Sequence, residues 1–194
     1  MGVRWARAGC VVVVPTLSGH GPRRLHPFVS GPGPDRVVFA DRQDYFFRYN
    51  LGLQLAAAGR SLLGWMVEDV RRALDVALAR PEVDRERVLL LGSVAGGGDV
   101  AGTVAALDPR VRGLVCFGYG RGRSLDRPGG AVPGFGPGTW ETTRSPPRMA
   151  IDGFAPWVVL GAVAPRPRVY AHEFSWSADQ DPAWRRLRSI YALH

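Results

Sequence analysis

The chain has no lysine at all, a single asparagine and only two cysteines among its 194 residues. The missing lysine means that the net charge of +8 is carried entirely by arginine. Together with abundant Ala, Gly, Pro and Val, this points to a GC-rich coding bias. The basic balance and an isoelectric point near 10.6 are therefore weak grounds for a nucleic-acid partner. The arginines are also scattered, with only short clusters such as Arg121/Arg123 and Arg185/Arg186/Arg188. A binding stripe would gather them on one face. No nucleic-acid partner is expected.

Two cysteines exclude a disulfide-stapled scaffold. Cys10 and Cys116 each lie in an apolar, strand-like run and are expected to be buried free thiols. No His/Cys spacing suits a metal, so neither metal nor cofactor is expected. Long apolar runs are absent too, and nothing approaches the ~20 residues that span a bilayer. No membrane partner is expected. The opening residues lack the apolar core of a signal peptide, which favours a cytoplasmic protein, or a secreted one if sequence upstream is missing.

What remains is ordinary for a globular chain: 46% hydrophobic residues and a mean hydropathy of −0.05. At this length one domain with a proper core is expected over residues 1–194. The oligomeric state is open.

The organisation follows from hydrophobic period and punctuation. The β-branched run from Cys10 to Val14, closed by Pro15, predicts a strand buried on both faces. Leu17 to Pro22 is a turn-rich exit, and 27–37 a loop. A helix is expected from about Gln43 to Ala58, broken by Gly59. Ser61 caps a second helix running to about Ala79. Its apolar stripe is Leu63, Met66, Val67, Val70, Leu74 and Leu78, with Glu68, Asp69, Arg71 and Arg72 off the stripe. Val88–Leu91 reads as a buried strand, Asp99–Leu107 as a small-residue helix and Val111–Phe117 as another strand. Residues 118–150 are dense in Gly and Pro. A helix near Trp157–Val163, a strand over Arg168–Ala171 and a helix over Asp181–Leu193 close the chain. Strands alternating with helices predict an α/β fold with a doubly wound, mainly parallel sheet.

The most informative stretch is 87–111. Apolar strand, glycine-rich turn and helix in that order is the frame of the G-x-S-x-G nucleophile elbow. With Gly92 and Gly96 as framing glycines, the nucleophile slot holds Val94, which cannot attack a carbonyl. Ser93, one position earlier, is either a shifted nucleophile or simply the small residue that a tight turn requires. Ala95 would offer a backbone N–H to an oxyanion, and the helix N-terminus behind it could hold a carbonyl or carboxylate. Asp99 reads as a favourable charge on that helix dipole. The glycine run makes neither a P-loop nor G-x-G-x-x-G.

Taken together, several segments resemble the α/β-hydrolase superfamily, in its acetylxylan-esterase and dienelactone-hydrolase-like branch. They are Arg7–Gly21, Asn50–Leu55, Gly59–Trp65, Arg80–Arg87, the elbow, Ala105–Val111 and Val163–Pro167. Trp140–Arg144 and the Asp181-Pro pair also resemble glucuronoyl-esterase-like members. The resemblance implies a carboxylic ester hydrolase scaffold acting on a small ester or acylated sugar, with triad members in the order nucleophile, acid, histidine.

It also implies where the other site residues lie. The acid would come from the loop after Arg168–Ala171, where Glu173 and Asp179 are candidates beside Asp181. Trp140, Glu141 and Arg144 would pass over the mouth of the site, where an aromatic and an arginine can hold a sugar or carboxylate. The base would follow one further strand, beyond His194, and the first sheet strands and their oxyanion loop would precede Met1. His20, His26, His172 and His194 have no matching position as the base. Val94 in the slot leaves an esterase using Ser93, or a non-catalytic or truncated relative that binds or merely folds; a basic surface module for a polyanion is the third reading.

Overall fold

The computed structural model describes residues 2–24, 43–93, 96–117, 152, 156–171 and 182–194. Its residues group into two compact units that meet in sequence between Ala73 and Leu74.

The first unit opens with a short helix, α1 (Gly2–Arg7). Residues 10–16 follow in no strand ladder, and Val11, Val12, Val13 and Val14 are all exposed, Val14 at 79%. The buried strand expected here is not formed. β-branched composition favours an extended backbone, but a strand needs a neighbour to take its N–H and C=O groups, and among the described residues none is paired with this run. Cys10 is accordingly exposed rather than buried; both cysteines are free thiols.

Helix α2 (Gln43–Ala57) ends where expected. Gly59 has φ +69, a conformation that costs a residue with a side chain about 1–2 kcal/mol. Ser61 then accepts the Gly64 N–H at 2.9 Å, a side-chain cap on α3 (Leu62–Leu78). Of the predicted stripe, Leu63, Met66, Val67, Leu74 and Leu78 are buried, with Leu62 added to them. α3 carries its last residues, from Leu74, into the second unit.

That unit is built on three parallel strands, β1 (Leu89–Ser93), β2 (Gly113–Phe117) and β3 (Arg168–Ala171), in the order β1-β2-β3. Helix α4 (Gly98–Leu107) links β1 to β2, and α5 (Pro156–Gly161) precedes β3. Helix α6 (Pro182–Tyr191) follows. Right-handed crossovers between strands laid down in sequential order place their helices on one face. The register agrees. Gly92 pairs with Cys116, and Cys116 with Tyr170. Cys116 Sγ donates to Gly98 O of α4, while Tyr170 stacks on Trp184 of α6. α4 packs on β1, β2 and α5, and α5 on α6.

The core of this unit is the seam between that face and its helices: Val100, Ala101, Val104, Leu114, Cys116, Leu160 and Leu187. The opposite sheet face carries Leu89 (60% exposed), Leu91 (44%) and Val169 (58%). The reading of Val88–Leu91 as buried is therefore corrected. An apolar run is covered on both faces only if helices lie on both, and among the described residues of this unit the helices α4, α5 and α6 lie on one.

Two motifs prove to be staples of this unit. Arg110 binds Asp108 through Nε and Nη2 and reaches Asp75 through Nη1 at 2.7 Å. Those carboxylates, Asp108 first, raise its already high pKa. Arg166 Nη1 forks to the carbonyls of Asp108 and Val111 at 3.1 and 2.9 Å, and Tyr191 OH donates to Arg166 O. The turns after α4 and before β3 are thus tied together.

Candidate active site at the β1–α4 turn

The turn is made by how closely strand and helix approach. A Cβ on Gly92 would lie 2.2 Å from Gly97 O and 2.5 Å from Ala101 Cβ. A Cβ on Gly97 would lie 2.5 Å from Ser93 O and 2.8 Å from Ser93 N. Glycine is required at both positions because backbone crosses backbone. Gly96 turns the chain with φ +87, a region open to glycine at little cost.

Asp99 is 2% exposed. Its Oδ1 accepts the N–H groups of Gly96 and Val100, each at 3.0 Å. The helix has no side-chain cap at Gly97, so this carboxylate takes up donors that the helix start leaves unpaired. It is more than a surface charge on a dipole; it is the internal ligand of the turn.

Ser93 is the last residue of β1, opposite Phe117. It is exposed, and by the alternation of the strand it lies on the face away from α4. Val94 and Ala95 lie outside the described residues, as do Trp140, Glu141, Arg144, His172, Glu173, Asp179 and Asp181. The described residues of the turn bring Ser93, Gly96, Gly97 and Asp99 together.

In the first unit, the turn after residue 16 is held by a polar cluster that the sequence reading missed. Asp69 Oδ2 accepts both the N–H and the hydroxyl of Ser18, at 2.7 and 2.8 Å. Arg23 bridges Asp69 Oδ1 and Thr16 O, both at 2.8 Å. His20 receives a hydrogen bond at Nε2 from Arg48 and faces Ser18 O with Nδ1. Its imidazole is fully engaged and structural. The only sequence signal was an acid, Asp69, lying off the α3 stripe.

A cavity of about 500 Å³ in the second unit is lined by Asp75, Leu78, Ala79, Arg85, Glu86, Arg110 and Arg112. It shares no residue with the turn. Two of its arginines meet carboxylates, Arg110 at Asp75 and Asp108 and Arg112 at Glu86. Among the described residues no group of three His, Cys, Asp or Glu side chains could hold a metal ion, and no helix is long and apolar enough to cross a membrane.

No family model and no curated protein matches the sequence. Two solved structures do match the fold. A candidate acetyl xylan esterase from Bacteroides fragilis aligns at TM-score 0.53 and 19% identity, covering 79% of this chain. Over the aligned residues the chain shares that structure's α/β fold. A glucuronoyl esterase from Solibacter usitatus aligns at TM-score 0.43 and 15% identity over 69% of this chain. The chain spans 40% and 36% of the length of those two structures.

Proposed function

We propose that the chain is an acetylxylan-esterase-like carboxylic ester hydrolase scaffold whose elbow keeps its backbone but has lost its nucleophile. The observation that carries this reading is the crossing of Ser93 and Gly97. Elbow glycines permit a close approach of strand and helix, and here Gly97 approaches the backbone of Ser93. Neither Val94 nor Ala95, the two residues that could occupy the slot between them, bears a nucleophile.

On this reading the three strands are part of a doubly wound sheet. The turn seats the carbonyl of a small ester or acylated sugar against Ala95 N–H. Trp140, Glu141 and Arg144 line the mouth, and Glu173 or Asp179 stands where an acid would. The exposed position of Ser93 supports the alternative, in which its hydroxyl attacks the carbonyl. A polyanion-binding role is disfavoured, because Arg80, Arg87, Arg110 and Arg112 of the second unit each meet a carboxylate.

Hydrolysis of p-nitrophenyl acetate by the purified chain and its Ser93→Ala variant, with matched circular dichroism, decides between them. We expect no turnover above buffer from either folded protein. Turnover that disappears in the variant would overturn the non-catalytic reading and make Ser93 the nucleophile.

A further inference from the structure

We propose that the cavity at the entry to β1 and β2 is a binding site for a small organic monocarboxylate, with Arg85 as its anchor. The cavity lies within the second unit and shares no residue with the β1–α4 turn, so it does not depend on how that turn is read. Arg85 before β1, and Arg110 and Arg112 before β2, line its roughly 500 Å³ together with Asp75 and Glu86. Arg110 takes two carboxylates, Asp75 and Asp108, each at 2.7 Å. Arg112 takes Glu86, Arg87 takes Asp84 and Arg80 takes Glu82. Every acid of residues 75–87 and 108–112 is thereby matched to an arginine other than Arg85. The hydrogen bond from Arg87 accordingly holds the Asp84 carboxyl below its usual range. Arg85 is exposed and has neither an ion pair nor a side-chain hydrogen bond among the described residues. Asp84 Oδ1 accepts the Glu86 N–H at 2.9 Å, so the surplus cation is carried on a preformed turn.

A concave surface with an uncompensated positive charge concentrates anions, and the donors present select among them. Arg112 gives only Nη2 to Glu86, which leaves its Nε and Nη1 in the same cavity as the whole Arg85 fork. Planar guanidinium edges match a carboxylate in bidentate fashion. One surplus positive charge is cancelled by one negative charge, whereas Asp75 and Glu86 would repel the second charge of a phosphate dianion. Leu78 and Ala79, at the end of α3, supply an apolar wall for the carbon body of the acid. The volume falls within the range of small-molecule sites and leaves room for more than the carboxylate alone.

The test is amide NMR on the full-length ¹⁵N-labelled chain at constant ionic strength, following Ala79, Glu86 and Gly113. Sodium benzoate is the probe, with inorganic phosphate and benzyl alcohol for comparison. Benzoate should shift these amides saturably. Arg85→Gln should weaken its binding about fivefold, and Arg85→Lys, which keeps the charge without the fork, should weaken it less. Arg85 has no side-chain partner to lose, so both variants should fold, which circular dichroism checks. Arg60→Gln, at an exposed arginine of the first unit, should leave binding unchanged. No saturable shift in the native chain, an Arg85→Gln protein that binds as well as the native one, or equal weakening by Arg60→Gln would overturn the site. Phosphate or benzyl alcohol binding as tightly as benzoate would overturn its assignment to a monocarboxylate.

Discussion

Replacing Gly92 with alanine tests the geometry on which the site depends. The new methyl would sit 2.2 Å from Gly97 O and 2.5 Å from Ala101 Cβ, where relaxed carbon contacts lie at about 3.5 Å or more. Helix α4 must therefore back away from β1 by roughly 1 Å, and a gap of that size forfeits about a quarter to a half of each contact's dispersion energy. The contacts affected belong to Val100, Ala101, Val104, Leu114 and Cys116, all buried. Overpacked cores commonly lose about 1–3 kcal/mol when side chains can shift. A backbone carbonyl cannot rotate away, so the expected loss is about 3 kcal/mol or more, a large share of a domain's ~5–15 kcal/mol. Urea unfolding by circular dichroism measures the total, and hydrogen exchange at Ala101 and Val104 shows whether α4 is the part that loosens. Ala101→Gly added to Gly92→Ala should rescue only in part, because the clash with Gly97 O persists. Gly59→Ala is the control: no atom lies within 4 Å of its built Cβ and φ is +69, so it should cost only about 1–2 kcal/mol of conformational strain. A Gly92→Ala protein within about 0.5 kcal/mol of the native one, the range of an inert surface change, would refute the close crossing.

Three further outcomes follow from named contacts. Ser61→Ala should cost about 1 kcal/mol by removing the α3 cap, with Ser61→Asp restoring it in the same thermal melts. Arg166→Met keeps the stem but removes the guanidinium from the carbonyls of Asp108, which keeps the Val111 N–H, and Val111; we expect a loss of about 1–3 kcal/mol, only partly recovered by Arg166→Lys, whose point charge cannot fork as a guanidinium does. Tyr191 has its pKa raised above 10.0, first by burial, against the opposing charges of Arg168 and Arg166. A raised folded value means that the unfolded chain loses its proton first, so stability should fall as pH rises past about 10 through the folded value. Tyr191→Phe should lower stability at neutral pH through the lost bond to Arg166 O and flatten that alkaline limb; an unchanged limb would show that another group sets it.

Helices were the legible part of this sequence because their signals are local. The stripe of α3, its serine cap and the Gly59 break each act within one or two turns, and β3 falls on the residues expected. The failures concern groups whose state depends on a partner. Nothing in Cys10-Val-Val-Val-Val says whether a neighbouring strand will satisfy it, and the run is exposed. Likewise Leu89 and Leu91 are as apolar as a doubly covered strand requires, yet coverage is a property of the topology. Asp69 and Asp99 show the same limit for charge. Each read as a helix-surface acid, but one anchors a distant turn through Ser18 and the other is buried in the elbow.

The elbow register shows why the site was harder to read than the fold. Three consecutive glycines, Gly96 to Gly98, give a sequence reader no way to choose which one crosses the strand, and a shift of one residue changes the occupant of the slot. The contact distances show the crossing that the sequence could not: Gly97 meets the backbone of Ser93, and Gly92 meets both Gly97 and Ala101. The segments that carry the family resemblance then divide by role. Asp108, Arg110 and Arg166 hold the turns of the second unit together, and Ser18 and Asp69 hold the turn of the first. A nucleophile costs an elbow little to lose, since the turn needs only a residue that fits there. The staples cannot be lost without leaving buried carbonyls and carboxylates unpaired. On the proposed reading of this turn, a scaffold released from catalysis should therefore keep this pattern: the hydrogen-bonded framework intact and the reacting side chain replaced by valine or alanine.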